Sequence, residues 1–155
     1  VNDIEVKLKK VSGDLAIISF AIQNYREDKV DYGSILTNQE RVTVGKEYFL
    51  FTQQEKYPIT VYVRAATQPS HLSYTVDGKR ENVTTLQTGA ATLIKADEHV
   101  EIQIGNFRSA ELVINKIPIN LTTDSEKFSI TKIIKWVPDP NNETKFDLVI
   151  KDYLN

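Results

Sequence analysis

The pattern of apolar and polar residues is most regular between positions 99 and 116, where apolar residues alternate with polar ones in two separate runs. In an extended chain every second side chain shares one face, so each run predicts a strand with one buried face. Gly105 and Asn106 both tolerate positive φ, and they separate the runs with a predicted tight turn. The predicted buried positions are Val100, Ile102, Ile104, Ala110, Leu112 and Ile114.

A first hairpin is predicted near the start of the chain. Residues 4–10 alternate apolar and charged side chains, and the turn signal Ser12-Gly13-Asp14 leads into the apolar run 15–22. This run fits a strand buried on both faces or a short core helix, and its shortness and flanking turn residues favour the strand. The lysines of residues 7–10 suit an anionic surface, but a charged outer face also protects an edge strand from aggregation, and we favour that interpretation.

The next part of the chain, residues 23–45, is polar and uneven, which predicts a mainly extended connection. Its apolar positions between 30 and 36 fit an edge strand, and 41–44 fits a short strand. The aromatic run YFLF at 48–51 predicts a core strand. A stacking surface for a sugar or a base would instead need the rings interleaved with basic or polar groups.

Short strands and turn signals continue at regular spacing beyond Pro58, which belongs at the start of a strand because it has no N–H to donate. Asp77-Gly78 suits a type I′ hairpin turn, and Gly89 marks another turn. Spacing of this kind is typical of a β-sandwich or barrel. The predicted strands of this part are 59–65, 72–76, 83–86 and 91–96.

The last third predicts a long C-terminal hairpin. Apolar residues from 128 to 136 lead to a loop at 137–142, and 146–150 alternates as a closing strand. Before it, 117–121 continues past Pro118, which a strand accepts only at an edge or a bulge.

The predicted fold is an all-β antiparallel sandwich, Ig-like or related, with the C-terminal hairpin as an extension. We expect N-terminal strands over 1–57 to pack on a β core over 58–122, followed by the hairpin over 123–155, as one compact unit. The expected shared core comprises Val61, Val63, Leu72, Tyr74, Val100, Ile102, Ile104, Leu112 and Ile114.

Composition narrows the possible functions. The 155 residues are 41% hydrophobic and 26% charged, with no apolar run of the roughly 20 residues that a bilayer requires. A net charge of −2 provides no positive field, so we expect no nucleic-acid partner. The chain has no Met, so we expect Val1 to follow a cleavage or cloning boundary, with any membrane contact made only through a segment absent from this chain.

Candidate chemistry is sparse. There is no Cys, and neither His71 nor His99 has a second ligand at metal-binding spacing, so no catalytic, cofactor or metal residue is predicted. The oxygen-rich loop from Asp139 to Glu143 lacks the EF-hand spacing for calcium and is typical of a turn. Chance explains the three N-glycosylation sequons at Asn82, Asn120 and Asn142. The residues singled out for turns are Asp77, Gly78, Gly89, Gly105 and Asn106.

Residues 59–121 resemble the extracytoplasmic C-terminal domain of RodZ-type proteins, which are bacterial cell-shape factors. Leu72 stands where that family often has tryptophan, and Lys116 stands where it has glycine, which weakens the last turn. The resemblance implies an envelope protein with a missing cytoplasmic helix-turn-helix domain and transmembrane helix. The matching segments are ITVYVRA at 59–65, LSYTVDGK at 72–79, LQTG at 86–89, IQIGN at 102–106 and LVIN at 112–115.

Two functional hypotheses follow, and neither is an enzyme. The first is an extracytoplasmic module of the periplasm or cell surface that binds other envelope proteins, as the resemblance implies. The second is a secreted structural subunit or adhesin that binds copies of itself, with a terminal strand such as 4–10 completing a neighbour's sheet.

Overall fold

The computed structural model describes residues 5–12, 15–21, 29–123 and 126–153, which form two compact units, Val1–Asp31 and Tyr32–Asn155. The first unit is the antiparallel hairpin of β1 (Glu5–Ser12) and β2 (Leu15–Ala21), with a shift in register between Leu8 and Lys10. The predicted first hairpin is confirmed.

The second unit contains two sheets that pack face to face, which confirms the predicted all-β sandwich. The five-stranded sheet has the order β3-β11-β10-β5-β8, and the six-stranded sheet has the order β4-β13-β12-β9-β6-β7. Neighbouring strands are antiparallel, except that β3 and β11 are parallel. The elements are α1 (Tyr32–Asn38), β3 (Val42–Val44), β4 (Glu47–Gln53), β5 (Ile59–Ala65), β6 (Ser70–Val76), β7 (Asn82–Leu86), β8 (Ala91–Ala96), β9 (His99–Gly105), a 3-10 turn (Phe107–Ser109), β10 (Ala110–Ile114), β11 (Ile117–Leu121), β12 (Ser129–Asp139) and β13 (Asn142–Asp152).

The core lies between the sheets and follows the predicted period-two pattern. In β5, Ile59, Val61 and Val63 are fully buried and alternate with partly exposed residues. Eight of the nine predicted core residues are buried in the core, and the ninth, Tyr74, is partly buried and packs against it. This part of the prediction is confirmed, because alternation depends only on the geometry of the extended backbone.

A helix replaces the predicted edge strand at 30–36. In α1, Ile35 is buried and Tyr32 stacks on Tyr62 with ring centroids 4.0 Å apart and planes 4° apart. Tyr62 lies on the outward side of β5, since its neighbours in the strand are buried inward. The apolar residues 32, 35 and 36 have helical spacing, so one side of the helix covers the sheet. No helix in the described part of the chain is long and apolar enough to cross a membrane.

The C-terminal hairpin of β12 and β13 is confirmed, but it is not an extension. Its two strands lie inside the six-stranded sheet, where β13 pairs with β4 and β12 pairs with β9. The loop is shorter than predicted, because Pro138 pairs with Phe146 and the strand continues to Asp139. Residues 32–57 belong to the same compact unit as the core, and the chain divides into its two units after Asp31.

Two polar or constrained positions are accommodated inside the sheets. Pro118 precedes the part of β11 that β3 covers, 119–121, so it lies where β11 is still an edge, as the rule for proline requires.

Lys132 is buried on the inner side of β12, and its Nζ donates to the Gly45 carbonyl and to Asp152 Oδ1, each at 2.5 Å. The lysine therefore joins the segment before β4 to the end of β13.

Candidate interaction surface

The edge strand β4 exposes aromatic side chains. β4 pairs with β13 alone and ends the strand order of the six-stranded sheet. Tyr48 is 37% exposed and Phe49 is 50% exposed, so the prediction that the YFLF run is core is wrong for these two residues. Phe51 is partly buried and packs edge-on against Trp136, with centroids 5.7 Å apart. An edge strand lacks a neighbour on one side, and the sequence does not show which strand is last.

The other edges of the two sheets are shorter or more polar. β3 has three residues, and β7 has five, of which four are exposed: the polar Asn82, Thr84 and Thr85 and the apolar Val83. The six residues of β8 include the exposed Lys95. Proteins protect sheet edges by short length, charge or proline, and an unprotected apolar edge is a site for pairing with another strand. Among the edges of these two sheets, β4 is the longest and the one with exposed aromatic side chains.

The turn residues singled out in the sequence lie at strand connections. Asp77 and Gly78 form the turn after β6 with φ of 51° and 70°, and Gly89 has φ of 86° in the turn before β8. Asn106 has φ of 55° immediately after β9. None of these four residues lines the exposed aromatic surface of β4, since each belongs to a connection elsewhere in the chain.

Gly105 differs from its expected role. It is the last residue of β9 and does not have positive φ. A Cβ placed on it would lie 3.2 Å from the Cβ of His71, which is closer than side chains normally pack. Ser70 also donates to the Gly105 carbonyl at 2.6 Å. Glycine suits this position because β6 approaches β9 closely, and the positive φ of the turn belongs to Asn106.

The carboxylate of Asp77 has a second role that the sequence did not indicate. It accepts backbone N–H groups from Asp97 at 2.9 Å, Glu98 at 2.7 Å and His99 at 2.9 Å. Burial raises the pKa of Asp77, but these three hydrogen bonds outweigh it and hold the pKa below its ordinary value. The side chain therefore fastens the β6–β7 turn to the β8–β9 connection.

The predicted absence of a metal site stays a prediction. No group of three His, Cys, Asp or Glu side chains suited to a metal occurs in the part of the chain that the structure describes. In the Asp139–Glu143 loop, Asp139 Oδ1 accepts the Asn141 N–H at 2.8 Å, and Asn142 Oδ1 accepts the Thr144 N–H at 3.0 Å. These oxygens serve the turn itself, as short polar side chains commonly do.

A cluster of arginines lies at the end of the sandwich where β10 begins. Glu111 accepts Arg41 at 3.3 Å through Oε1 and Arg64 at 2.9 Å through Oε2. Arg108 donates to the Lys127 carbonyl at 2.7 Å. Arg41 and Arg108 also line a small cavity between the sheets. One carboxylate thus serves two guanidinium groups, and the third is bonded to a neutral carbonyl.

Comparison with protein-family models, curated proteins and solved structures gives no match to this chain.

Proposed function

We propose that this chain is a non-enzymatic, extracytoplasmic β-sandwich module of a RodZ-like cell-shape or envelope protein, and that it acts as a scaffold by binding other proteins. Support comes from the ordered series of motifs over residues 59–121 and from the all-β fold. The Lys116 departure is compatible with the proposal, because the residue takes φ of 67° in the turn where the family has glycine.

The exposed strand β4 is the observation that carries the binding role. It presents a row of backbone groups at the end of the sheet beside the exposed ring of Phe49. An extended segment of a partner can add to such an edge, with main-chain hydrogen bonds giving affinity and side-chain contacts giving specificity. Aromatic side chains supply much of the energy of protein interfaces because they bury a large rigid surface.

The proposal is tested with paired substitutions in the parent protein. Phe49→Lys places a charge at the β4 edge, where lysine discourages strand pairing, and Val83→Lys makes the same change at the opposite edge strand β7. Both side chains are largely exposed, at 50% and 60%, so neither substitution should change stability by more than about 0.5 kcal/mol.

We expect Phe49→Lys to weaken binding to envelope partners and to alter cell shape as deletion of the module does, and we expect Val83→Lys to leave both unchanged. A deletion of the module with normal cell shape and normal partner binding would refute the proposal. Equal loss of binding in the two variants would refute the role of β4.

A second candidate function is a secreted structural subunit or adhesin that assembles by strand complementation. The observation that favours it is the hairpin of β1 and β2, which forms a two-stranded sheet within its own compact unit. A two-stranded sheet is marginally stable by itself and gains stability by adding strands. Filaments of the purified chain, with β1 paired to a neighbouring subunit, would establish this function in place of the first.

A further inference from the structure

A small cavity lies between the two sheets at the end where β9 finishes and β10 begins. Its volume is about 140 Å³. The six-stranded sheet contributes Ile104 to its wall, and the five-stranded sheet contributes Leu112 and Ile119, all three of which are nearly fully buried. The ring of Phe107, in the 3-10 turn that joins the sheets, forms part of the same wall.

Two of the three polar side chains that line this cavity are cationic. Arg41, Arg108 and Asn120 line it together with the apolar residues. Arg41 shares the carboxylate of Glu111 with Arg64, so one negative charge faces two positive ones. No carboxylate is bonded to Arg108 in the part of the chain that the structure describes. A guanidinium has five N–H donors, so both arginines that line the cavity retain donors for an anion.

Arg108 is held in place at the cavity. Its guanidinium carbon lies 4.7 Å from the centre of the Phe107 ring, and its Nη1 donates to the Lys127 carbonyl at 2.7 Å. The Phe107 ring is itself buried in the core. A guanidinium fixed by stacking and a hydrogen bond loses little freedom when it binds a carboxylate, and its planar fork matches the two oxygens.

We propose that this cavity binds a small organic carboxylate, with its apolar part between the sheets and its carboxylate on Arg108 and Arg41. The volume limits the size of the ligand, since a cavity of about 150 Å³ has room for one benzene ring. A drug-sized ligand needs roughly 300 Å³ or more and does not fit. The ligand therefore carries one aromatic ring or a short aliphatic chain.

Benzoate is the probe, and benzyl alcohol is its uncharged counterpart of similar size. Binding is followed by the methyl signals of Ile104, Leu112 and Ile119 in NMR titrations of the whole chain. We expect saturable shifts with benzoate and much weaker ones with benzyl alcohol. Arg108→Gln should weaken benzoate binding by about tenfold or more, since it removes a charge-assisted hydrogen bond to the carboxylate.

Two further variants keep the test decisive. Arg80→Gln removes the same charge from an exposed connection after β6 and should leave benzoate binding unchanged. Arg41→Gln should also weaken benzoate binding. It tests the charge of the cavity even if Arg108→Gln disturbs the packing on Phe107. The proposal is overturned if benzoate causes no saturable shift at millimolar concentration, if benzyl alcohol binds as well as benzoate, or if Arg80→Gln weakens binding as much as the cavity variants do.

Discussion

Ile102 offers a direct test of the sandwich core. Its side chain is 2% exposed in β9, which pairs with β6 on one side and β12 on the other. Ile102→Ala removes three buried carbons, which at about 0.8 kcal/mol each corresponds to about 2.4 kcal/mol of lost transfer free energy. The cavity left behind raises the cost to about 2–5 kcal/mol. The melting temperature should therefore fall by roughly 4–20 °C.

The measurement is urea unfolding followed by the fluorescence of Trp136. This residue is the single tryptophan of the chain and is buried in the same core, so its signal reports on the sandwich. The neighbouring Gln103 is exposed on the opposite side of the same strand, and Gln103→Ala is the matched control with an expected change below about 0.5 kcal/mol. Equal stability losses in the two variants would refute the assignment of the buried face.

Three other substitutions test individual contacts, each by the midpoint of thermal or urea unfolding. Gly78→Val should destabilise the protein by about 1–2 kcal/mol, because a β-branched residue is strained at φ of 70°, and an unchanged melting temperature would contradict the turn. Lys116→Gly should stabilise by about 0.5–1 kcal/mol, since glycine takes φ of 67° without strain, and a loss of stability would contradict this. The pKa of Asp77 is lowered in the folded state, so its contribution to stability is present above about pH 4 and is lost as the pH falls through the folded pKa. Asp77→Ala should therefore be less stable than the native chain at pH 7, and the difference in stability should be much smaller at pH 2. An equal difference at both pH values would contradict the three hydrogen bonds.

The strands were predictable because their signal is local. Alternation of side chains follows from the extended backbone, so β5, β9 and β10 could be placed from sequence alone. The order of strands depends on contacts between distant residues, which is why the exposed position of β4 was missed. At α1, three apolar residues fit either a strand or a helix, and stacking of Tyr32 on Tyr62 favours the helix.

The candidate sites were less predictable than the fold. Arg41 and Glu111 are separated by 70 positions in sequence, and nothing local indicates that they meet. The contacts of the buried Lys132 are equally hard to predict from the sequence, because its partners Gly45 and Asp152 lie on other segments. A polar residue at an inward position of the alternating pattern in β12 was the available signal, and it indicates that some partner must satisfy the charge.

The central claim is that β4 is the surface on which a protein partner adds a strand. The most direct measurement is photo-crosslinking in living cells from an unnatural amino acid at position 49, compared with the same group at position 83 on β7. The proposed function predicts a cross-link from position 49 to a segment of a partner protein of the cell envelope, mapped by mass spectrometry, and none to that segment from position 83. A cross-link only to copies of this chain, equal cross-linking from both positions, or none from position 49 would contradict the claim.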